Sequence, residues 1–147
     1  MKKLIIYTDG GSWGNPGPAA LGVVICNEKG QIFKKYSEYL GKNFTNNEAE
    51  YQAIIFAFKK IKSLFGKKLA KSSEIELKSD SELLMKQLKG EYKILDSKIQ
   101  PLFITAWNLK LDFKKVKFKL ISREKNKEAD RLVKETLNSE VKVQKLL

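Results

Sequence analysis

Residues 3–9, "KLIIYTD", form a nearly continuous apolar run that ends on a carboxylate, and no other feature limits the fold so strongly. A strand with one wet face alternates apolar and polar side chains. An unbroken run belongs in the middle of a sheet that is covered on both faces. The Gly/Pro loop "GGSWGNPGPAA" follows. "LGVVICN", "EKG" and "QIFKKYSEYL" then read as a hairpin of two more strands. Three strands joined by such short connections are antiparallel.

The rest of the chain alternates helices with strands. The pattern predicts a long helix over 46–65, a strand at 73–79 ("SEIELKS") and a short helix from Ser81 to about Gly90. A further helical stretch covers about 97–112, with Pro101 tolerable only in its first turn. "KVKFKLIS" (115–122) alternates as a strand, and 126–137 is a last helix. The final ten residues, 138–147, read as a strand or a frayed tail beyond a folded domain of residues 1–137. A strand reached through a helix lies parallel to the strand it left. The expected fold is therefore α/β, with three antiparallel and two parallel strands in one mixed five-stranded sheet flanked by helices. Neither phosphate-loop pattern, G-x-G-x-x-G nor G-x-x-x-x-G-K, occurs in "GGSWGNPG", so a nucleotide-cofactor fold is not supported.

Charge points to the partner. The 147 residues carry a formal net charge of +12, which suggests an acidic partner, nucleic acid first and an anionic membrane surface second. The one cysteine, Cys26, lies in the apolar stretch "LGVVIC" and reads as a small core residue in a reducing compartment. The apolar run after the basic start stops at Asp9, too soon for a signal segment, and no stretch reaches the length of a membrane span. A cytoplasmic protein, acting as a monomer, is expected.

Four carboxylates converge on one site. If the strands 3–9 and 73–79 are parallel neighbours, Asp9 and Asp80 stand side by side at their carboxyl ends, roughly 4.8 Å apart across the sheet. Open α/β sheets place their ligands at that edge. Two such charges repel unless a cation lies between them; either Asp alone also has a reading as a cap of the turn or helix that follows. In the helix 46–65 the apolar stripe runs through Ile54, Ala57, Phe58, Ile61 and Phe65. At about 100° per residue, Glu50 falls on this stripe and Glu48 faces solvent. Glu48 lies three residues after Thr45, the spacing of a capping box, and so has a structural task. Glu50 points inward and needs a partner. In the last helix Asp130 sits at the edge of the face formed by Ala129, Val133 and Leu137, with Asn126 as the N-cap.

The chain has no histidine. The usual N/S zinc site and the Ser-His and Cys-His nucleophiles are excluded. What remains is an all-oxygen cage suited to Mg²⁺ or Mn²⁺. With a basic surface, that suggests phosphoryl transfer on a nucleic acid with two metal ions.

The blocks "YTDGGSWGNPGPAALGVVI", "TNNEAEYQA", "SDSELLMKQL" and "REKNKEADRLV", in this order, resemble type 1 ribonuclease H, the endonuclease that cuts RNA in RNA/DNA hybrids. The resemblance runs from about residue 3 to 137. It implies metal-binding acids at Asp9, Glu50, Asp80 and Asp130, the Gly10 backbone as a further metal contact, two ions per site, and products with 5′-phosphate and 3′-hydroxyl ends. It implies hybrid contacts at Gly11, Gly14, Asn15, Thr45, Asn46, Asn47, Ser81 and Glu82; Trp13, in the loop beside Asp9, reads from its own position as a further substrate contact. Gly10, Gly11 and Gly14 would let backbone approach the RNA, and the Asn amides would read its 2′-hydroxyls by donating and accepting. Thr45 then has two roles, helix cap and phosphate contact.

The chain departs from the family in two places. Many bacterial members carry a histidine in the loop before the last Asp; here that loop is "SREKN", as in shorter archaeal-like variants, leaving Arg123 or Glu124 to take part of its role. A Lys/Trp-rich protrusion is not evident between residues 80 and 113; Lys89, Lys93, Lys98 and Lys110 are the substitutes for gripping phosphate, and Trp107, at helical spacing from Phe103, reads as core. A catalytically silent module binding hybrid or double-stranded RNA is the main alternative. Its weakness is that clustered carboxylates gain nothing in binding phosphate. A DNA nuclease of the same fold and a domain of a reverse transcriptase are further alternatives.

Overall fold

The computed structural model describes residues 2–147. Five strands, β1 (Lys3–Ser12), β2 (Gly17–Asn27), β3 (Ile32–Phe44), β4 (Glu74–Ser79) and β5 (Lys115–Leu120), form one sheet in the order β3-β2-β1-β4-β5. The pairs β1–β2 and β2–β3 are antiparallel; β1–β4 and β4–β5 are parallel. The apolar run at the start is thus the central strand, and the mixed sheet has the expected strand senses.

Side chains alternate across β1, with Leu4 and Ile6 on one face and Ile5 and Tyr7 on the other. On the first face lie α1 (Asn46–Lys71), α2 (Glu82–Leu88) and α3 (Gln100–Lys110), closing the main core around Tyr51, Ile54, Phe58, Ile61, Leu84, Met85 and Ile99. The buried Tyr51 hydroxyl donates to Gln87 Oε1 at 2.8 Å and ties α2 to α1. On the second face α4 (Lys127–Leu146) lies over β1, β2 and β3, with Ala129 and Leu132 against Val24 and Cys26. Cys26 is a buried free thiol, as expected.

The helix starts show why these segments are helical. Thr45 caps α1: its hydroxyl accepts from the Glu48 backbone N–H at 3.1 Å, and the Glu48 carboxylate accepts from the Thr45 N–H at 3.1 Å. This is the capping box that the spacing predicts. α1 is interrupted at Gly66 (φ 80°, ψ 162°), so its regular part ends at Phe65 and a short segment continues to Lys71.

Three elements differ from the sequence reading. Residues 138–146 are neither strand nor frayed tail but the continuation of α4, because Val133, Leu137 and Val141 carry the apolar face on at four-residue spacing. Asn126 does not cap α4 with its side chain; it ends a short 3-10 turn, Arg123–Asn126, and its Nδ2 donates to the Thr8 carbonyl at 2.9 Å. Trp107 is not core: it is 40% exposed on the outer side of α3, stacked on Phe103 with Lys110 Nζ 3.3 Å from its ring centre. Among the described residues no helix is long and apolar enough to cross a membrane.

Candidate active site

Asp9 lies on β1 two residues beyond Tyr7, and Asp80 directly follows β4, two residues beyond Lys78, which pairs with Tyr7 in register. The two acids therefore leave neighbouring parallel strands at the same level. Each of the other two acids is brought to them by a glycine. Gly10 lies against the first turn of α1: a β-carbon there would meet the Ala49 carbonyl carbon at 2.3 Å and the Glu50 nitrogen at 2.4 Å. Gly22, the antiparallel partner of Asp9, lies against α4, where a β-carbon would meet the Ala129 carbonyl oxygen at 2.5 Å. The absent side chains let both helices descend onto the sheet, α1 delivering Glu50 and α4 delivering Asp130 to opposite flanks of Asp9.

Asp9, Glu50, Asp80 and Asp130 line one cleft of about 430 Å³ with Gly10, Gly11, Ser12, Trp13, Asn46, Arg123 and Lys134; Val133 and Leu137 form its apolar wall. Burial pushes the Asp9 carboxyl up to about 8, with the charges of Asp80, Asp130 and Glu50 adding to the shift and the Gly10 backbone hydrogen bond opposing it. Burial likewise raises Glu50 to about 7; the hydrogen bond from Ser81 lowers it and Asp80 raises it. Glu50 Oε2 is buried without a hydrogen-bond partner. A carboxylate oxygen held dry, unpaired and among three other carboxylates fits a divalent cation better than any protein donor on the site. Among the described residues no three of these acids close onto one ion-sized point, the arrangement expected of like charges that repel across a cleft. The donor set and the orphaned oxygen suit a hard cation; the side chains ring its place without forming a finished cage.

The remaining candidates are distributed unevenly. Trp13 is 45% exposed at the rim. The Gly14 backbone has a positive φ of 121° in the same loop. Asn15 Oδ1 accepts from the Asn46 N–H at 3.1 Å, and Asn46 Oδ1 accepts from the Ser12 N–H at 2.9 Å, so the two Asn motifs are fastened to each other. Ser12, absent from the sequence reading, is the pin of this junction; its hydroxyl also donates to the Phe44 carbonyl at 2.7 Å. Asn47 is half-buried on the first turn of α1. Ser81 caps α2 and bonds Glu50, whereas Glu82 points outward and pairs with Lys86 at 3.1 Å. Gly10 and Gly11 both lie against helices: beside Gly11, a β-carbon would meet Val133 Cγ1 of α4 at 3.2 Å. Arg123 lines the cleft; Glu124 is exposed outside it. Lys134, also missed, pairs with Asp130 Oδ2 at 2.9 Å, and its position four residues on along a helix was the available signal.

Residues 7–136 match the family model described as reverse transcriptase-like. Ribonuclease HI of Halobacterium salinarum is 36% identical over 132 residues, 90% of this chain and 63% of that protein. The bifunctional protein Rv2228c of Mycobacterium tuberculosis is 29% identical over 138 residues, 93% of this chain and 36% of that protein. The chain thus spans between about a third and two thirds of the length of these curated relatives. Among solved structures, LC11-RNase H1, isolated from compost and crystallised with an RNA/DNA hybrid, superimposes with a TM-score of 0.88 at 42% identity, covering 94% of this chain and 99% of that one. RNase H1 of Halobacterium salinarum superimposes with a TM-score of 0.84 at 35% identity, covering 93% and 98%. Sequence and fold agree: the chain belongs to the ribonuclease H family, within the reverse transcriptase-like group.

Proposed function

We propose that this chain is an endonuclease that hydrolyses the RNA strand of RNA/DNA hybrids, with Mg²⁺ or Mn²⁺ held by Asp9, Glu50, Asp80, Asp130 and the Gly10 carbonyl. The observation that carries this reading is the convergence of four carboxylates from β1, α1, β4 and α4 on one cleft of a strongly basic protein. Two divalent cations, when bound, supply activation of the attacking water and neutralisation of charge on the leaving oxygen. The bond broken is that between phosphorus and the 3′-oxygen; the water oxygen remains on phosphorus, giving a 5′-phosphate, and the departing oxygen takes a proton to become a 3′-hydroxyl.

The chain's own groups set position and selectivity. Arg123 stands at the cleft with a permanent cation for the phosphate. The amide oxygens of Asn15 and Asn46 already accept backbone N–H groups, which turns their NH₂ donors outward, towards 2′-hydroxyl and base-edge acceptors of the hybrid's minor groove. All four acids come from one chain, so a monomer suffices.

The test is cleavage of a strand-labelled RNA/DNA hybrid with Mg²⁺, with Mn²⁺ and with chelator, beside double-stranded RNA, double-stranded DNA and single-stranded RNA. Metal-dependent cutting of only the hybrid's RNA strand, lost in Asp80→Asn, is the expected result. Binding without cutting under either metal would replace this reading with the silent binding module.

A further inference from the structure

α4 covers one face of the sheet over β1–β3; further along that face Glu74, Glu76 and Lys78 of β4 are half-buried and Lys115, Lys117 and Lys119 of β5 are exposed, and the charges fall in rows. Lys3, Glu74 and Lys115 form one row across β1, β4 and β5; Ile5, Glu76 and Lys117 form the next; Tyr7, Lys78 and Lys119 form the third. In the first two rows a glutamate lies beside each lysine, and Glu76 also draws Lys3 to 3.6 Å and Lys119 to 3.7 Å. The third row has no carboxylate. It sets Lys78 and Lys119 directly opposite each other, at a strand spacing of about 4.8 Å, and like charges in that relation destabilise a sheet. Lys78 Nζ hangs 5.2 Å from the centre of the Tyr7 ring, and Lys119, with its side chain 54% exposed, holds a long ion pair to Glu76 at 3.7 Å that leaves most of its ammonium open to a further anion. Two residues beyond Tyr7 and Lys78 come Asp9, on β1, and Asp80, just past the end of β4.

We propose that Lys78 and Lys119 are a phosphate-binding pair that holds a nucleic-acid strand where it leaves the acid cleft, extending the substrate contact onto the open face of β4 and β5. The inference rests on the nuclease reading above. A cleft of four carboxylates repels the polyanion it must cut, and a cation pair one row away offsets that repulsion where it is strongest. An isolated small anion would call for a closed pocket with buried donors; this face is open and continues along β5 through Lys117 and Lys115. Alternate residues of a strand advance by about 6.6 Å, close to two base steps of one nucleic-acid strand at about 3.4 Å each. The like-charge row costs stability in the free protein and is relieved when phosphate occupies it.

The test uses the full chain carrying both Lys78→Gln and Lys119→Gln, with Lys29→Gln in the β2–β3 turn as a control for the loss of a lysine elsewhere on the surface. Binding of a fluorescein-labelled RNA/DNA hybrid is followed by anisotropy in chelator across a potassium chloride series, and KM is followed in the cleavage assay. The double variant is expected to bind about tenfold more weakly, with a salt slope smaller by nearly two, since each lost phosphate contact removes roughly 0.9. The loss falls on KM rather than kcat, and the Tm is unchanged or raised as the like-charge pair is removed. Unchanged affinity and slope would overturn the proposal, as would an equal loss from Lys29→Gln or a weakened affinity accompanied by a lowered Tm. Parent protein that binds the hybrid but does not cut it sinks the nuclease reading while this test still decides the lysine pair; parent protein that binds no hybrid overturns both.

Discussion

A β-carbon on Gly10 would lie 2.4 Å from the backbone nitrogen of Glu50, nearer than two such atoms approach in any real protein. That contact fixes how deep α1 sits on the sheet and therefore where the Glu50 carboxylate stands relative to Asp9. The obstacle on the α1 side is backbone, the Ala49 carbonyl and the Glu50 amide, so no rotamer change can make room. Gly10→Ala should lift the helix start, destabilising the fold by about 1–3 kcal/mol and reducing cleavage more than stability alone explains. Denaturant unfolding at a temperature where the variant remains folded, set beside its kcat, separates the two losses.

Glu48 and Glu50 lie two residues apart and answer to different forces. Glu50→Gln removes a charge from a dry, crowded cleft, so cleavage should disappear while the Tm in chelator stays level or rises. Glu48→Ala removes half of a capping box and should cost about 1 kcal/mol with activity retained. Equal loss of activity from both would contradict the separation.

The metal-free protein should lose stability as pH rises. Asp9 and Glu50 hold their protons up to about 8 and about 7 in the folded state, against 3.8 and 4.5 ordinarily. Between those limits the folded chain binds more protons than the unfolded one, so the unfolding free energy falls with pH. Below the ordinary values both states are protonated and the effect vanishes. Thermal melts in chelator should show a falling Tm from about pH 5 to about pH 8, flattened in Asp9→Asn. Divalent metal should counter the fall most at the alkaline end, because it binds the deprotonated acids.

Arg123 and Glu124 are neighbours that the 3-10 turn places differently with respect to the cleft. Arg123 lines the cleft, and Glu124 is exposed and does not line it. Arg123→Ala should lower kcat by about tenfold or more, the effect of losing a charge that meets phosphate in the transition state, while Glu124→Ala should stay within about twofold, as for a surface change. Steady-state kinetics on the same hybrid decides between them.

Much of this arrangement was legible because it is local. The apolar run of β1, the Thr45–Glu48 capping box and the inward direction of Glu50 follow from periodicity and backbone chemistry within a few residues. What escaped is relational. Asn126 reads as an N-cap, yet Thr8, far away in sequence, offers a buried carbonyl that its side chain satisfies instead. Trp107 reads as core by spacing, but exposure depends on what packs outside α3, which spacing does not encode. Gly10 reads as a glycine that lets backbone approach RNA; the descent of α1 adds a second demand for glycine there that no local pattern encodes.

The sequence by itself determined the five strands, their senses in the sheet, the helices up to the last turns of α4 and the residue types of the site, because hydrophobic periodicity and caps act at short range. The tertiary structure alone decided which rows of charge face solvent, how near each acid lies to Asp9 and how far burial raises its proton affinity, because electrostatic interaction and desolvation depend on distances through space between residues far apart along the chain.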